Sequence, residues 1–305
     1  MKHVSPLRYP GGKSFLFNFM CKLIENNNLK GGDYSEPYAG GAGLAFKLLF
    51  SGHVSRIRIN DLNRSIFTFW KVAVKNPNYL IDFIETCPIS IDFYRNQKEV
   101  LQNLRCFSKN EIAAATLYLN RVNRSGILSG GPIGGYEQNG VWKLDARFNR
   151  ITLIERLENI KKYSKQIDIS DFDAITFIKK TLKKNAFNNK HFFYLDPPYF
   201  LKSKDLYLNP YKDRDHKKLC EYLTTIQQEK WLLSYDEHPF LRKLYNQFSI
   251  HDVAVSHSAG LHHLGQEIFI PSSKIEFNIY DLANINHNHV QASTSDYLTP
   301  RHQNH

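Results

Sequence analysis

The sequence predicts an α/β fold in which a core of alternating strands and helices is interrupted by a mainly helical insertion. Strand-like apolar runs that end in polar residues alternate with helical patterns on both sides of this insertion. A glycine-rich loop joins the first predicted strand to the helix that follows it. Residues 65–164 carry mostly helical patterns instead of this alternation. We therefore expect a discontinuous core.

The composition is that of an ordinary soluble globular protein. The 305 residues are 42% hydrophobic and 23% charged, which fits one or two folded domains. Lys and Arg exceed Asp and Glu by 40 to 29, and a net charge of +11 favours a polyanionic partner such as nucleic acid. The four cysteines form no CxxC pair, and no apolar run approaches the ~18 residues of a membrane span. A cytoplasmic protein without a membrane partner is the simplest expectation.

The first elements of the core follow in order along the chain. Apolar residues at four-residue spacing within 15–23 predict a helix. A strand then ends near Glu36, a helix runs from about Leu44 to Gly52, and a second strand ends at Asp61. This order is the beginning of a βαβ unit.

The insertion and the second half of the core come next. Within the insertion, the Gly- and Pro-rich stretch 120–142 predicts a loop or hairpin. The later segments "QIDISDFDAITFI", "HFFYLDPP", "HKKLCEYLTTIQ" and "KWLLSYD" predict strand then helix, buried strand, helix and strand. "QEIFIPSS" and "KIEFNIY" are candidates for closing antiparallel strands. We expect core domains at 1–64 and 165–283, an insertion at 65–164, and a disordered tail at 284–305.

The glycine loop "EPYAGGAG" is a candidate ligand site. Gly40, Gly41 and Gly43 allow a sharp turn between strand and helix and a close approach to a ligand. Asp61, about 20 residues further on, stands where nucleotide-binding folds place an acidic residue for ribose hydroxyls. Glycine-rich turns are common, however, and this one is not GxGxxG. No phosphate-binding GxxxxGK[ST] loop is present.

The stretch "YLDPPY" combines a carboxylate, two rigid peptide units and an aromatic ring at a strand end. An exocyclic amine of a base is a poor nucleophile, so its attack on a methyl donor needs acceptors that hold both hydrogens. Asp196 supplies one acceptor, and the carbonyl of Pro197, restrained by Pro198, supplies the other. Tyr199 can stack on a base swung out of its duplex. The alternative is a strand that ends in a proline turn, with Asp196 capping a helix.

Taken in order, "RYPGGK", "EPYAGGAG", "INDLN" and "YLDPPY" resemble the Dam-type family of adenine-specific DNA methyltransferases. These motifs span most of residues 8–199. The resemblance implies a Rossmann-like methyltransferase core with an inserted, mainly helical target-recognition domain. It further implies S-adenosylmethionine as cofactor, and transfer of its methyl group to N6 of a flipped-out adenine in double-stranded DNA.

The resemblance also implies roles for individual residues. The cofactor-binding residues would be Tyr9, Lys13, Tyr38, Gly40, Gly41, Gly43, Asp61, Asp173 and Asp196, with Asp171 as a rival of Asp173 for the position near the cofactor adenine. The catalytic pocket for the target amine would consist of Asp196, Pro197, Pro198 and Tyr199. The family's aromatic-x-Gly-x-Gly pattern carries Ala42 in place of its second glycine here, which leaves the backbone contact of the loop open.

Polar residues around the predicted hairpin are candidates for DNA contact. They are Asn120, Arg121, Asn123, Arg124 and Ser125 before it and Arg147 after it. Arginines beside a polar loop suit phosphate contacts and guanine recognition, although a solvated helix end would look the same. A cognate restriction endonuclease is a candidate partner, a monomer is expected, and the scattered histidines predict no metal site.

Other functions remain open from the residues alone. The pocket suits cytosine N4 or an amine of RNA or protein, and a DNA-binding module with an inactive cofactor site is the alternative of a different class. Asp61, Asp196 and Tyr199 argue against an inactive site. The sequence does not reveal the DNA site that would be recognised.

Overall fold

The computed structural model describes residues 4–184, 189–200, 211–256, 264–278 and 280–281. The described strands are β1 (Gly32–Glu36), β2 (Val54–Asn60), β3 (Ile167–Ser170), β4 (His191–Leu195), β5 (Trp231–Asp236), β6 (His251–Ser256) and β7 (Leu264–Pro271). The described α-helices are α1 (Phe17–Asn26), α2 (Gly43–Phe50), α3 (Arg64–Lys75), α4 (Pro77–Thr86), α5 (Ile91–Gln102), α6 (Lys109–Val122), α7 (Arg150–Lys162), α8 (Ala174–Lys184), α9 (Asp213–Thr225) and α10 (Pro239–Leu244).

The strands form one sheet in the order β3-β2-β1-β4-β5-β7-β6. The pairs from β3 to β5 are parallel, whereas β7 pairs antiparallel with both β5 and β6. The strand order reverses between β1 and β4. In open α/β sheets, ligands bind beyond the carboxyl ends of the strands at such a reversal. The end of β4 is therefore the place to look for a site.

The helices α3–α7 connect β2 to β3 and occupy the stretch predicted as an insertion. Their apolar side chains belong to the same core as those of the sheet. For example, Trp70 on α3 packs against Phe46 on α2 with ring centroids 5.0 Å apart. Within the predicted hairpin, residues 124–126 form a 3-10 turn and Asn123 bridges to Pro132. The chain order matches the prediction, while a separate recognition domain stays a prediction.

The strands predicted to end near Glu36 and at Asp61 are confirmed as β1 and β2. The strands predicted in "QIDISDFDAITFI", "HFFYLDPP", "KWLLSYD" and "QEIFIPSS" are confirmed as β3, β4, β5 and β7. The strand predicted in "KIEFNIY" is wrong: residues 274–278 are irregular, and β6 pairs with β7 instead. The backbone of Glu276 is held by the side chain of Asn27 through two hydrogen bonds of 2.8 and 3.0 Å. The apolar residues Ile275 and Phe277 alternate with polar residues because both pack on the core from this irregular segment. The predicted disordered tail lies outside the described residues.

Two further features bear on the predicted class of protein. Among the described residues, no helix combines the length and apolar character needed to cross a membrane. The thiols of Cys21, Cys87, Cys106 and Cys220 are free.

Candidate active site

The DPPY segment begins where the central strand β4 ends. All five residues of β4 are buried, so the strand lies fully inside the sheet between β1 and β5. Asp196 follows directly and is partly exposed, whereas Pro197 and Tyr199 are buried. The apolar strand thus delivers a carboxylate to the edge at which the strand order reverses.

The carboxylate of Asp196 uses one of its oxygens for contacts within the chain. Oδ1 lies 2.9 Å from Nζ of Lys13 and accepts a 3.0 Å hydrogen bond from the hydroxyl of Ser234 on β5. The hydroxyl of Tyr194 lies 2.8 Å from that of Ser234. Among the described residues, none donates a hydrogen bond to Oδ2 of Asp196. One oxygen is therefore anchored while the other keeps its capacity to accept.

Glu267 on β7 completes this group, and the sequence did not reveal it as a site residue. Its Oε1 lies 3.0 Å from Nζ of Lys13 and accepts a 3.0 Å hydrogen bond from the hydroxyl of Tyr199. Glu267 is 1% exposed, and its Oε2 has no hydrogen-bond partner among the described residues. The sequence signal that could have revealed Glu267 is its carboxylate next to the apolar residues of "EIFI". That signal does not show the pairing with Lys13, because the pairing depends on β7 lying beside β5 in the sheet.

Lys13 is the cation that balances these carboxylates. Burial acts to lower the pKa of Lys13, but Asp196 and Glu267 outweigh it and hold that pKa well above its usual value. Removal from water raises the pKa of Asp196 to about 6, the Lys13 ammonium opposes this, and the Glu267 carboxylate adds to it. Asp196 is ionised at neutral pH and takes up a proton only as the pH falls through about 6.

The glycine loop is tied to the end of β2 by Asp61. Its Oδ2 accepts a 2.8 Å hydrogen bond from the backbone N–H of Gly40, and its Oδ1 accepts one of 2.8 Å from Asn63. Burial raises the pKa of Asp61 to about 6 in spite of these bonds. Trp70 Nε1 donates to the carbonyl of Gly40 at 2.8 Å. These contacts fix the loop, and each carboxylate oxygen retains a further lone pair for a ligand hydroxyl.

The backbone of this loop turns through left-handed conformations. Gly40 has φ +47°, and a Cβ there would lie 2.7 Å from the ring of Tyr9. A Cβ on Gly41 would come within 2.9 Å of Tyr9, again too close. Ala42, the departure from the family pattern, also has a positive φ of 48°. The N-terminal "RYPGGK" segment thus packs directly onto the glycine loop, and two glycines are required by that contact.

A second buried carboxyl group lies at the end of β1. Glu36 is 6% exposed and accepts a 2.9 Å hydrogen bond from the hydroxyl of Tyr34. Burial raises the pKa of Glu36 to about 8, and the nearby Asp196 carboxylate adds to the rise. Glu36 is therefore largely protonated at pH 7 unless a cation approaches it.

The two candidates for the position near a cofactor adenine differ in their surroundings. Asp173 caps α8, since its Oδ1 accepts hydrogen bonds from the N–H groups of Ile175 and Thr176 at 3.0 and 3.3 Å. Its charge also contributes to the raised pKa of Tyr38, after burial and neighbouring tyrosines. Both aspartates are exposed, and Asp171 is not one of the main influences on the pKa of Tyr38.

Tyr38, predicted to touch the cofactor, lies beside these groups. Its hydroxyl forms a 2.7 Å hydrogen bond with that of Tyr211, and the two rings meet edge to face with centroids 5.7 Å apart. Tyr38 therefore links the start of the glycine loop to the segment that precedes α9.

The polar residues proposed to contact DNA fall into two groups. Asn120 and Asn123 are buried, and their amides serve the chain itself. Asn120 accepts from the N–H of Arg8 and donates to its carbonyl, both at 2.7 Å, and Asn123 donates to the carbonyl of Ile127 at 2.8 Å. These two asparagines hold the loop with their amide groups, and contact of either with DNA stays a prediction.

Three of the four remaining candidates are exposed to solvent, and one is buried. Arg124, Ser125 and Arg147 are exposed, whereas Arg121 is 9% exposed and donates from Nε to the carbonyl of Arg147 at 2.7 Å. Ser125 adopts φ 55°, which marks a tight turn. Arg150, also near the hairpin, instead binds carbonyls at the end of α4.

The charge pattern of the site fits a cationic methyl donor. The carboxylates of Asp61, Asp196 and Glu267 lie at this edge of the sheet, where the described residues place the ammonium of Lys13 against the latter two. A sulfonium or ammonium group entering there would meet net negative charge. Among the described residues, no group of three or more His, Cys, Asp or Glu is arranged to hold a metal ion.

Comparison with known proteins adds to this geometry. The family model described as D12 class N6 adenine-specific DNA methyltransferase matches residues 9–258. The Type II methyltransferase M.MjaIII of Methanocaldococcus jannaschii is 23% identical over 272 residues, which cover 81% of this chain and 89% of that protein. Both "RYPGGK", apart from its first residue, and "DPPY" lie inside the matched family region.

Proposed function

Because the chain belongs to the D12 class N6 adenine-specific DNA methyltransferases, we propose that it transfers the methyl group of S-adenosylmethionine to N6 of an adenine flipped out of duplex DNA. The observation that carries this proposal is the state of Asp196 at the end of β4. Its Oδ1 is anchored by Lys13 and Ser234, while no described residue donates to Oδ2. A carboxylate that is held through one oxygen and can accept a hydrogen bond with the other is suited to bind an amino group.

The proposed pocket holds the two hydrogens of the adenine amine. Oδ2 of Asp196 accepts one, and the carbonyl of Pro197, which the two proline rings restrain, accepts the other. With both hydrogens held, the nitrogen lone pair is directed away from the ring and toward the methyl donor. The Asp196 carboxylate also stabilises the positive charge that develops on this nitrogen.

Tyr199 is proposed to stack on the extruded base. Its hydroxyl is bound to Lys13 at 3.0 Å and to Glu267 at 3.0 Å, which supports a fixed ring orientation. A base outside its duplex loses stacking energy, and an aromatic ring in the pocket returns part of it. Tyr199 would thus capture the base that Asp196 then orients.

When bound, S-adenosylmethionine would supply an electrophilic methyl group to the amine nitrogen, and its sulfur would keep the electron pair of the broken carbon–sulfur bond. The residues that would hold it are Tyr9, Lys13, Tyr38, Asp61 and the glycines Gly40, Gly41 and Gly43. Asp61 retains lone pairs for ribose hydroxyls beside the loop that it ties down. The methylated amine then loses one proton, for which Asp196 is the proposed first acceptor.

Asp173 is the better candidate for the cofactor adenine. Its charge acts on Tyr38 and on Tyr211, and no comparable interaction involves Asp171. Asp173 also caps α8, which fixes its carboxylate at the edge of the sheet. We therefore assign the position to Asp173 within this proposal.

The helices α3–α7 with the loop at 123–149 are proposed as the target-recognition region. Arg124, Ser125 and Arg147 are exposed there, and arginines bind phosphates and guanine edges. The similarity to a Type II methyltransferase supports the proposal that this protein acts together with a cognate restriction endonuclease. The recognised DNA sequence is a matter for experiment.

The decisive experiment is transfer of label. Purified protein is incubated with S-adenosylmethionine carrying a tritiated methyl group and with mixed-sequence duplex DNA, and the digested nucleosides are separated. Label in N6-methyladenine supports the proposal. Label in N4-methylcytosine would change the base, and label only in added RNA or protein would overturn a DNA substrate. The Asp196→Ala variant is the matched negative control.

A further inference from the structure

Four arginines gather where the N-terminal segment meets the end of α6 and the start of α7. They are Arg8, Arg121, Arg147 and Arg156, which we call the arginine cluster. Arg121 donates from Nε to the carbonyl of Arg147 at 2.7 Å, and Arg8 donates to the carbonyl of Asn123 at 3.4 Å. Burial lowers the pKa of Arg121 to about 9, and the charges of Arg156, Arg8 and Arg147 add to this lowering.

Among the described residues, no carboxylate forms an ion pair with these four arginines. The ion pairs formed by arginines in the described part of the chain involve other arginines than these four. Glu155 acts on Arg156 without forming an ion pair, and the stronger influence on the pKa of Arg156 is burial, which lowers it. Arg121 is the buried member of the cluster, and buried charges in proteins are normally paired, since removal of an ion from water is costly. Within the described residues this pairing is not made by a carboxylate, so the cluster is suited to bind an anion from outside the chain.

The hydrogen bonds of the cluster are also incomplete. Nε of Arg156 is buried without a hydrogen-bond partner, although its NH1 donates to the carbonyl of Ser5 at 2.9 Å. Arg121 is 9% exposed, and its Nε bond is the single hydrogen bond that its side chain makes among the described residues. Arg147 is exposed, so the cluster opens to solvent on that side.

The position of the cluster indicates which anion it takes. Arg8 precedes Tyr9 of the proposed cofactor site, and Asn120 holds both backbone groups of Arg8. The other three arginines come from the proposed target-recognition region, whose exposed Arg124 and Ser125 lie next along the chain. A ligand at the cluster would therefore touch both parts of the molecule that a DNA duplex must contact.

We infer that the arginine cluster binds one backbone phosphate of the DNA substrate and so fixes the duplex relative to DPPY. Guanidinium groups present paired N–H donors that match the two free oxygens of a phosphodiester. This inference rests on the proposed function, since it takes duplex DNA as the substrate. The carboxylate of the methyl donor is the competing source of an anion, and the test separates the two.

The test measures DNA binding of the Arg8→Gln/Arg147→Gln double variant. Arg8 is held through its backbone, and Arg147 offers its carbonyl to Arg121, so neither substitution removes these scaffold contacts. Arg105→Gln is the control, because Arg105 is exposed and α6 separates it from Arg121 by about 20 Å. Affinity for a labelled duplex is measured by fluorescence anisotropy between about 50 and 200 mM salt.

The double variant should bind DNA more weakly, and its slope of log affinity against log salt should be shallower by about 0.9 for each phosphate that the protein no longer neutralises. Arg105→Gln should keep the wild-type slope, and calorimetry should give all proteins the same affinity for S-adenosylmethionine. A double variant with the wild-type slope overturns the inference, as does one that loses affinity for the methyl donor instead.

Tritium transfer by the wild-type protein is measured in parallel. If the wild type methylates adenine but the double variant has the same salt slope as the wild type, the inference about the arginine cluster is wrong and the proposed function stands. If the wild type labels no DNA while the double variant still shows the shallower slope, the phosphate site stands and the proposed activity fails.

Discussion

The ammonium of Lys13 and the carboxylate of Asp196 form an ion pair of 2.9 Å across the two halves of the core. Lys13 belongs to the N-terminal segment that packs on the glycine loop, whereas Asp196 follows the central strand β4. Glu267 contacts the same ammonium at 3.0 Å and shares it with Asp196. The ionisation of the proposed amine acceptor is thus governed by residues from three separate segments.

Replacing Asp196 should separate turnover from DNA binding. Asp196→Ala removes the acceptor of the amine hydrogen, and we expect turnover to fall by at least about 10²-fold, as for loss of a transition-state hydrogen bond. Asp196→Asn keeps the shape but not the charge and should also be impaired. Labelled-nucleoside assays measure turnover, and anisotropy should report DNA affinity close to wild type. Substantial turnover by the alanine variant would exclude Asp196 as the amine acceptor.

Lys13 should set the acid limb of the pH profile. The pKa of Asp196 is about 6, so kcat/KM of the wild type should fall as the pH decreases through that value. Lys13 holds this pKa down, so Lys13→Gln should move the limb to higher pH. The exposed Lys22→Gln is the matched control and should leave the limb in place. An acid limb at the same pH in Lys13→Gln would contradict the coupling.

Tyr199 should capture the base through its ring. Tyr199→Ala should reduce the signal of a fluorescent adenine analogue placed at the target, because the base loses its stacking partner. Tyr199→Phe keeps the ring and should retain most of that signal, even though it loses the hydrogen bonds to Lys13 and Glu267. Equal signals from the wild type and the alanine variant would rule out stacking.

Alanine in place of Gly40 should lower the free energy of unfolding for two separate reasons. Gly40 and Gly52 both have positive φ, so alanine at either position costs about 1–2 kcal/mol of backbone strain. A Cβ at Gly40 additionally meets the ring of Tyr9 at 2.7 Å, whereas nothing lies within 4 Å of one at Gly52. Urea unfolding should therefore show a further loss of roughly 1–3 kcal/mol for Gly40→Ala, the usual cost of overpacking. Equal losses would refute the contact.

Glu36 should make the protein less stable as the pH rises. The pKa of Glu36 is about 8 in the folded protein and 4.5 in its ordinary state, so between these values the folded state binds the extra proton. The free energy of unfolding should then decrease by about 1.4 kcal/mol per pH unit from this group. Glu36→Gln should remove that decrease, so that its advantage over wild type grows from pH 5 to pH 8.

Urea unfolding without cofactor at several pH values measures this effect. The exposed Glu85→Gln serves as the control and should follow the wild-type pH dependence. Parallel curves for the wild type and Glu36→Gln would show that the carboxyl group of Glu36 ionises as freely in the folded protein as in the unfolded chain.

Local patterns were sufficient for most of the fold. The apolar run of β4 followed by DPPY, and the strand, glycine loop and helix from β1 to α2, were predicted with nearly the observed bounds. Residues 274–278 show where such patterns fail. Their alternation suggested a strand, but Asn27 takes the hydrogen bonds of Glu276, and β6 occupies the place beside β7.

The same distinction holds for the site. The sequence by itself determined the methyltransferase family, and it predicted a site at the glycine loop, Asp61 and DPPY, because each of these is a short motif that can be read from neighbouring positions. Only the tertiary structure decided that Glu267 joins Lys13 and Asp196, that Asn120 and Asn123 face inward, and that four arginines gather with no ion pair to a carboxylate of the described residues. Those relationships depend on which strands and helices become neighbours, and burial and charge act through space between residues far apart in the chain.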